Sequence, residues 1–194
     1  PRETPLLRMN PFAFPENIHI LEHIDRLVEI FNACWPMYAA MPAVLKDAIE
    51  RSYQKVGWDL RNSESEKGVF PTFFDLLDIL PGVIEESHYS KDTQSDYVGA
   101  LCTRVKSLTN GIYGSVLCAE DALSDAEMFD QNVIVDLSRV GSMETKSLLM
   151  GILVMKLQEY RMCSSGMNSR LRHVTVLEEA HNLLRKTSAE QSQE

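Results

Sequence analysis

Residues 173–184 read HVTVLEEAHNLL. Val174–Leu177 favour a strand and run directly into two adjacent carboxylates, Glu178 and Glu179. Ala180, His181 and the amphipathic start Asn182-Leu183-Leu184 follow. An apolar strand closed by paired acids suits one chemistry in particular. One carboxylate holds the water shell of a Mg²⁺ ion, and its neighbour, pointing elsewhere, aims a water at a phosphate.

Working outward, Asn132–Ser138 (NVIVDLS) is a second continuous apolar run and reads as a buried strand. Residues 143–162, METKSLLMGILVMKLQEYRM, have helical character and are apolar over much of the circumference, at Leu148, Leu149, Ile152, Leu153, Met155 and Leu157. GMNSRLR forms the return loop. Strand, helix and strand at this spacing predict a right-handed parallel βαβ unit. Its C-terminal strand edges, where ligands gather, would hold Asp136, Ser138, Glu178 and Glu179.

Upstream the period is helical. ENIHILEHIDRLVEIFNACW puts Ile20, Ile24, Leu27, Val28 and Phe31 on one face. In MPAVLKDAIERSYQKVGW, Pro42 marks a helix start and Gly57 a stop. RNSESEKG (61–68) is a charged loop. PTFFDLLDIL opens a third helix that the sequence ends at Pro81-Gly82. SHYSKDTQS is a polar connection, and DYVGALCTRVKSLTNG is a fourth helix. The expected organisation is therefore an extended entry or core strand over 1–14, an α-helical insertion over 15–127 and a βαβ part over 128–194.

No G-x-x-x-x-G-K-S/T phosphate loop occurs in the 194 residues. Its imitation, GSMETKS (141–147), has Thr145 where glycine must precede Lys146, and Glu144 would repel phosphate. Ser142 as the N-cap of a helix explains it better. HILEH (19–23) fits H-x-x-E-H, which suggests a zinc peptidase using His19 and His23 as ligands and Glu22 as general base, with a third ligand such as Glu85 or Glu86. A polar helix flank opposite the apolar stripe accounts for the same residues.

Net charge is −9, from 28 acidic and 19 basic residues, which disfavours broad non-specific nucleic-acid binding by this chain. The four cysteines are scattered in apolar contexts without a C-x-x-C pair, as expected of free thiols in a reducing cytoplasm. No run of about 18 apolar residues predicts a membrane span.

The segments from LLRMNPFAFPENIHILEHIDRL to KVGWDL, NVIVDLSRVGSMETKSLLMGILVMKLQEYR, and above all HVTVLEEAHNLLRKTSAEQSQE resemble the HerA-like helicase and translocase ATPases of the FtsK/HerA superfamily. The likeness covers nearly the whole chain. It implies an α/β fold: an incomplete RecA-like P-loop core, a parallel βαβ with the Walker B strand, carrying a large α-helical insertion. It implies ATP hydrolysis with Mg²⁺, DNA as partner, a homo-oligomeric and commonly hexameric ring, an accessory nuclease as a further partner, and a cytoplasmic location. Glu178 matches the Walker B acid that holds Mg²⁺ through water, where the family usually has Asp. Glu179 matches the catalytic glutamate, and His181 the histidine of D-E-A-H-like blocks that couples hydrolysis to DNA. The phosphate-loop Lys and Ser/Thr have no counterpart in the chain. A different class of function, a helical module that binds a neighbouring subunit or a nuclease, fits residues 15–127 as well.

Overall fold

A computed structural model describes residues 6–119, 121–164, 170–171, 173–178 and 180. Helix α1 (Ile20–Cys34) lies where the apolar spacing puts it and buries Ile20, Ile24, Leu27 and Phe31. His19 caps it, its ring accepting a hydrogen bond from Leu21 N, and Ser63 Oγ accepts another from Ile20 N at 2.9 Å. Helix α2 (Met41–Lys55) has Pro42 in its first turn and buries Val44, Leu45, Ala48 and Ile49. Gly57 follows it at φ +97°, a left-handed conformation that stops the helix with no steric cost to glycine. The charged stretch after it forms a small antiparallel pair, β1 (Trp58–Asp59) on β2 (Glu64–Ser65).

Helix α3 (Phe73–Glu86) starts with a capping box in which Thr72 and Asp75 satisfy each other's backbone N–H groups. It runs through Pro81 rather than ending there. A proline inside a helix costs about 3 kcal/mol. Here the buried stripe Leu76, Leu80, Val83, Ile84 continues past it and offsets that cost. Helix α4 (Lys91–Tyr97) begins within the expected polar connection, where Ser90 Oγ accepts from Thr93 N. A π-helical turn over Val98–Cys102 joins it to α5 (Thr103–Thr109), and α6 (Gly111–Leu117) follows. Helix α7 (Asp125–Phe129) has a second capping box, Ser124 with Glu127. Helix α8 (Met143–Ser164) closes the order.

Hydrophobic residues from all along the chain share a core. Met9 and Phe12 of the entry segment join it, together with Leu148, Leu149, Ile152 and Met155 of α8. Residues 6–14 are not a strand. Met9 N donates to Val116 O at 2.8 Å, Leu123 N donates to Arg8 O at 2.8 Å, and Phe12 sits edge-on to Phe73 with ring centroids 5.0 Å apart. Helix α8 lies against α1 and buries Leu148, Leu149, Ile152, Met155, Lys156 and Glu159. A Cβ on Gly151 would stand 2.9 Å from Ile30 Cγ2, so glycine is what lets the two helices approach.

The α/β expectation is overturned. Among the described residues the structure is mostly helical, its one sheet is the antiparallel β1–β2 pair, and there is no parallel βαβ unit and no RecA-like core. Asn132–Leu137 and His173–Leu177 form no strand. A strand exists only where a neighbour completes its hydrogen-bond ladder, and no described residue offers these two segments one. Their apolar side chains are correspondingly uncovered: Ile134 is 95 % exposed and Val176 82 % exposed.

Candidate functional site

The acid-ended segment leaves the helical body at a defined point. Phe129, at the end of α7, is buried, and its carbonyl oxygen accepts two hydrogen bonds. One comes from Arg161 Nη2 of α8 at 2.6 Å and the other from His173 Nδ1 at 2.9 Å. A carbonyl can only accept, so Nδ1 carries the proton. In the neutral ring Nε2 then accepts from Thr175 Oγ1, 2.8 Å away. Arg161 Nη1 also donates to Asp130 Oδ1 at 2.7 Å, and the Tyr160 hydroxyl donates to Asp130 Oδ2. That bond is the first cause that raises the Tyr160 phenol above its ordinary pKa, followed by burial and the Asp130 charge.

From this anchor Val174–Leu177 run out to Glu178, which is exposed in a turn. Glu179 and His181, the expected catalytic and coupling residues, lie outside the described residues, so the geometry bears on Glu178 alone of the three. Asp136, at the end of the other apolar segment, is exposed and turned on itself. Its Oδ1 accepts from Ser138 N at 2.8 Å, and hydrogen bonding to Ser138, side chain and backbone, holds the carboxyl below its ordinary pKa. The two segments share an origin, one following Phe129 and the other His173. No ladder bond links them among the described residues.

The zinc arrangement does not assemble. His23 is fully buried, with Nδ1 2.9 Å from Glu159 Oε2, and its ring packs on Phe14 with centroids 4.9 Å apart. His19 Nδ1 is occupied by Leu21 N, and Glu22 pairs with Arg26 at 3.1 Å. No described group of His, Cys, Asp and Glu is placed to hold a metal. The expectation that His23 belongs to a polar flank is corrected with it. Three residues after Ile20 and four before Leu27, it is on the apolar stripe. GSMETKS is the entry to α8, where Ser142 Oγ accepts from Thr145 N at 3.3 Å, so its capping reading holds.

Sequence reasoning missed the residues that tie α8 down. Glu159 is fully buried and accepts from His23 and from Arg26 Nη1, the latter at 3.0 Å. Lys156, also buried, donates to Ala13 O at 3.0 Å and lies 3.4 Å from Asp125. The signal was present: charged residues standing on an apolar stripe of helical spacing mark buried partners. An open cavity of about 220 Å³ beside Lys156 and Asp125 is smaller than the ~300–1,000 Å³ of ordinary ligand sites. No described helix is long and apolar enough to cross a membrane.

No protein-family model, curated protein or solved structure matches the chain.

Proposed function

We propose that this chain is the acid-bearing part of an ATP-hydrolysing DNA translocase or helicase that works as a ring in the cytoplasm with Mg²⁺. In this reading Glu178 holds the metal through water, Glu179 orients the attacking water and His181 couples hydrolysis to DNA. The phosphates are bound by a loop that residues 1–194 do not contain. The supporting observation is the uncovered segment Val174–Glu178. It is fixed at its base by the Phe129 carbonyl, and its acid Glu178 is exposed rather than spent on a partner inside the helical body. A DNA-facing activity is compatible with the −9 net charge because phosphate contacts in a ring concentrate on a few pore residues rather than on the whole surface.

The test is hydrolysis. Residues 1–194 alone are expected to release no phosphate from MgATP. In the polypeptide that joins them to a phosphate loop, Glu179→Gln is expected to lower kcat by about 100-fold or more, about 2.7 kcal/mol of transition-state stabilisation, with nucleotide binding retained. A Glu179→Gln protein that keeps most of its rate refutes the assignment.

One observation favours a second reading, a binding module, although it lies outside the helical span 15–127 that the sequence suggests for one. Val133, Ile134 and Val135, which follow Phe129 by four to six residues, are exposed, and clustered apolar exposure of this kind marks an interface. Sedimentation of the 194-residue chain as a stable oligomer, with no nucleotide-dependent change in any assembly, would favour it over hydrolysis.

A further inference from the structure

The consecutive residues Glu159, Tyr160 and Arg161 of α8 serve two different neighbours. Successive helical residues point about 100° apart. Glu159 therefore faces α1, where it accepts from His23 and Arg26, while Tyr160 and Arg161 face the end of α7. Arg161 uses both ends of its guanidinium there, on the Asp130 carboxylate and on the Phe129 carbonyl. Planar two-pronged donation of this kind fixes orientation as well as distance. The guanidinium also lies 5.0 Å from the centre of the Tyr160 ring, whose hydroxyl holds the other Asp130 oxygen. The Phe129 carbonyl, set in place by Arg161, is the one that receives His173 Nδ1–H, five residues before Glu178.

We infer that Arg161, supported by Tyr160 and Asp130, is a positioning residue that sets the base of the described Val174–Glu178 segment by fixing the Phe129 carbonyl to which His173 is bound. Glu159, clamped to α1, makes α8 the rigid base of that joint. Arg161 touches neither metal nor nucleotide, and its effect passes through His173. The inference rests on the proposed hydrolytic role of the acid pair for its kinetic consequence and on the observed contacts alone for its structural one.

Two measurements separate these. In the 194-residue chain, ¹⁵N spectra of the His173 ring are expected to show Nδ1 protonated and Nε2 bare in the neutral form. Arg161→Ala, which frees the Phe129 carbonyl, is expected to shift the ring toward the Nε2-protonated tautomer common in free imidazoles. Arg161→Lys, with one point donor in place of a fork, should fall between. Tyr160→Phe removes only the hydroxyl bond to Asp130, so it serves if Arg161→Ala does not fold.

In the polypeptide bearing the phosphate loop, Arg161→Ala is expected to lower kcat about tenfold with KM for ATP within twofold. Tyr160→Phe should give a smaller drop of the same kind. Unchanged His173 tautomer and unchanged kcat in these variants overturn the inference even when the wild type hydrolyses ATP. A shifted tautomer in a wild-type background that never hydrolyses ATP keeps the joint and removes the proposed function instead.

Discussion

Replacing Glu159 with alanine is expected to lower the unfolding free energy by about 3–5 kcal/mol, the usual cost of removing one partner from a buried ionic cluster. The carboxylate is fully buried between α1 and α8. Without it His23 Nδ1 and Arg26 Nη1 lose their shared acceptor, and the region already contains one orphan, His23 Nε2, which has no partner among the described residues. Glu159→Gln should cost less than alanine, because the amide oxygen still accepts from Arg26 Nη1 and the NH₂ can donate to His23 Nδ1 when the ring carries its proton on Nε2. Urea unfolding followed by circular dichroism measures both. A loss under 1 kcal/mol for alanine would mean that the cluster contributes little.

The same carboxylate predicts an acid transition. Burial pushes Glu159 up, but the hydrogen bond and charge of His23, and then those of Arg26, outweigh it and hold the folded pKa below the ordinary glutamate value. A folded pKa lower than the unfolded one means that the stabilisation is complete above the unfolded value, about 4.3, and is lost as pH falls through the lower folded value. The wild type should therefore lose stability below about pH 4 more steeply than Glu159→Gln, which has no proton to take up at that site. Parallel pH profiles of the two would contradict this.

Phe12→Ala is expected to cost a similar amount, about 3–5 kcal/mol. Phe12 is fully buried although it lies in a segment with no regular structure, and it packs edge-on to Phe73 of α3 and Tyr53 of α2. Its backbone carbonyl also receives the Tyr53 hydroxyl, whose pKa burial raises well above the ordinary phenol value. Removing the ring leaves a void between two helices that the entry segment otherwise joins. Phe74→Ala makes the contrast, since that neighbour in sequence to Phe73 is 55 % exposed and should cost under 1 kcal/mol. Thermal melts of both variants, read at 222 nm, distinguish the two sites.

Most of the helices were legible in the residues because their burial is local in origin. Ile20, Ile24, Leu27 and Phe31 fall on one side of any α-helix, whatever it packs on, and Pro42 and Gly57 act through their own backbone preferences. Pro81 misled for the opposite reason. Its local preference is to end a helix, and only the burial of Val83 and Ile84 beyond it shows that the helix continues. NVIVDLS and HVTVLEE misled more deeply, because an apolar run states that a segment has something to bury and not what it will meet. The candidate site divides the same way. Glu178 was visible as an acid after an apolar stretch, whereas Arg161, Asp130 and Phe129 were not, since 32 residues separate Arg161 from the carbonyl it holds.

What the sequence by itself determined is the set of features that depend on near neighbours: the helical stripes, the cap at Ser142, the absence of a phosphate loop and the acid pair that follows an apolar run. Only the tertiary structure decided that His23 is buried against Glu159, that α8 rests on α1 rather than on a sheet, and that His173 is tethered at Phe129. The reason is physical. Periodicity and capping are set within a few residues of backbone, but a strand, a buried ion pair and a two-pronged guanidinium contact each require a partner that only the folded chain can bring near.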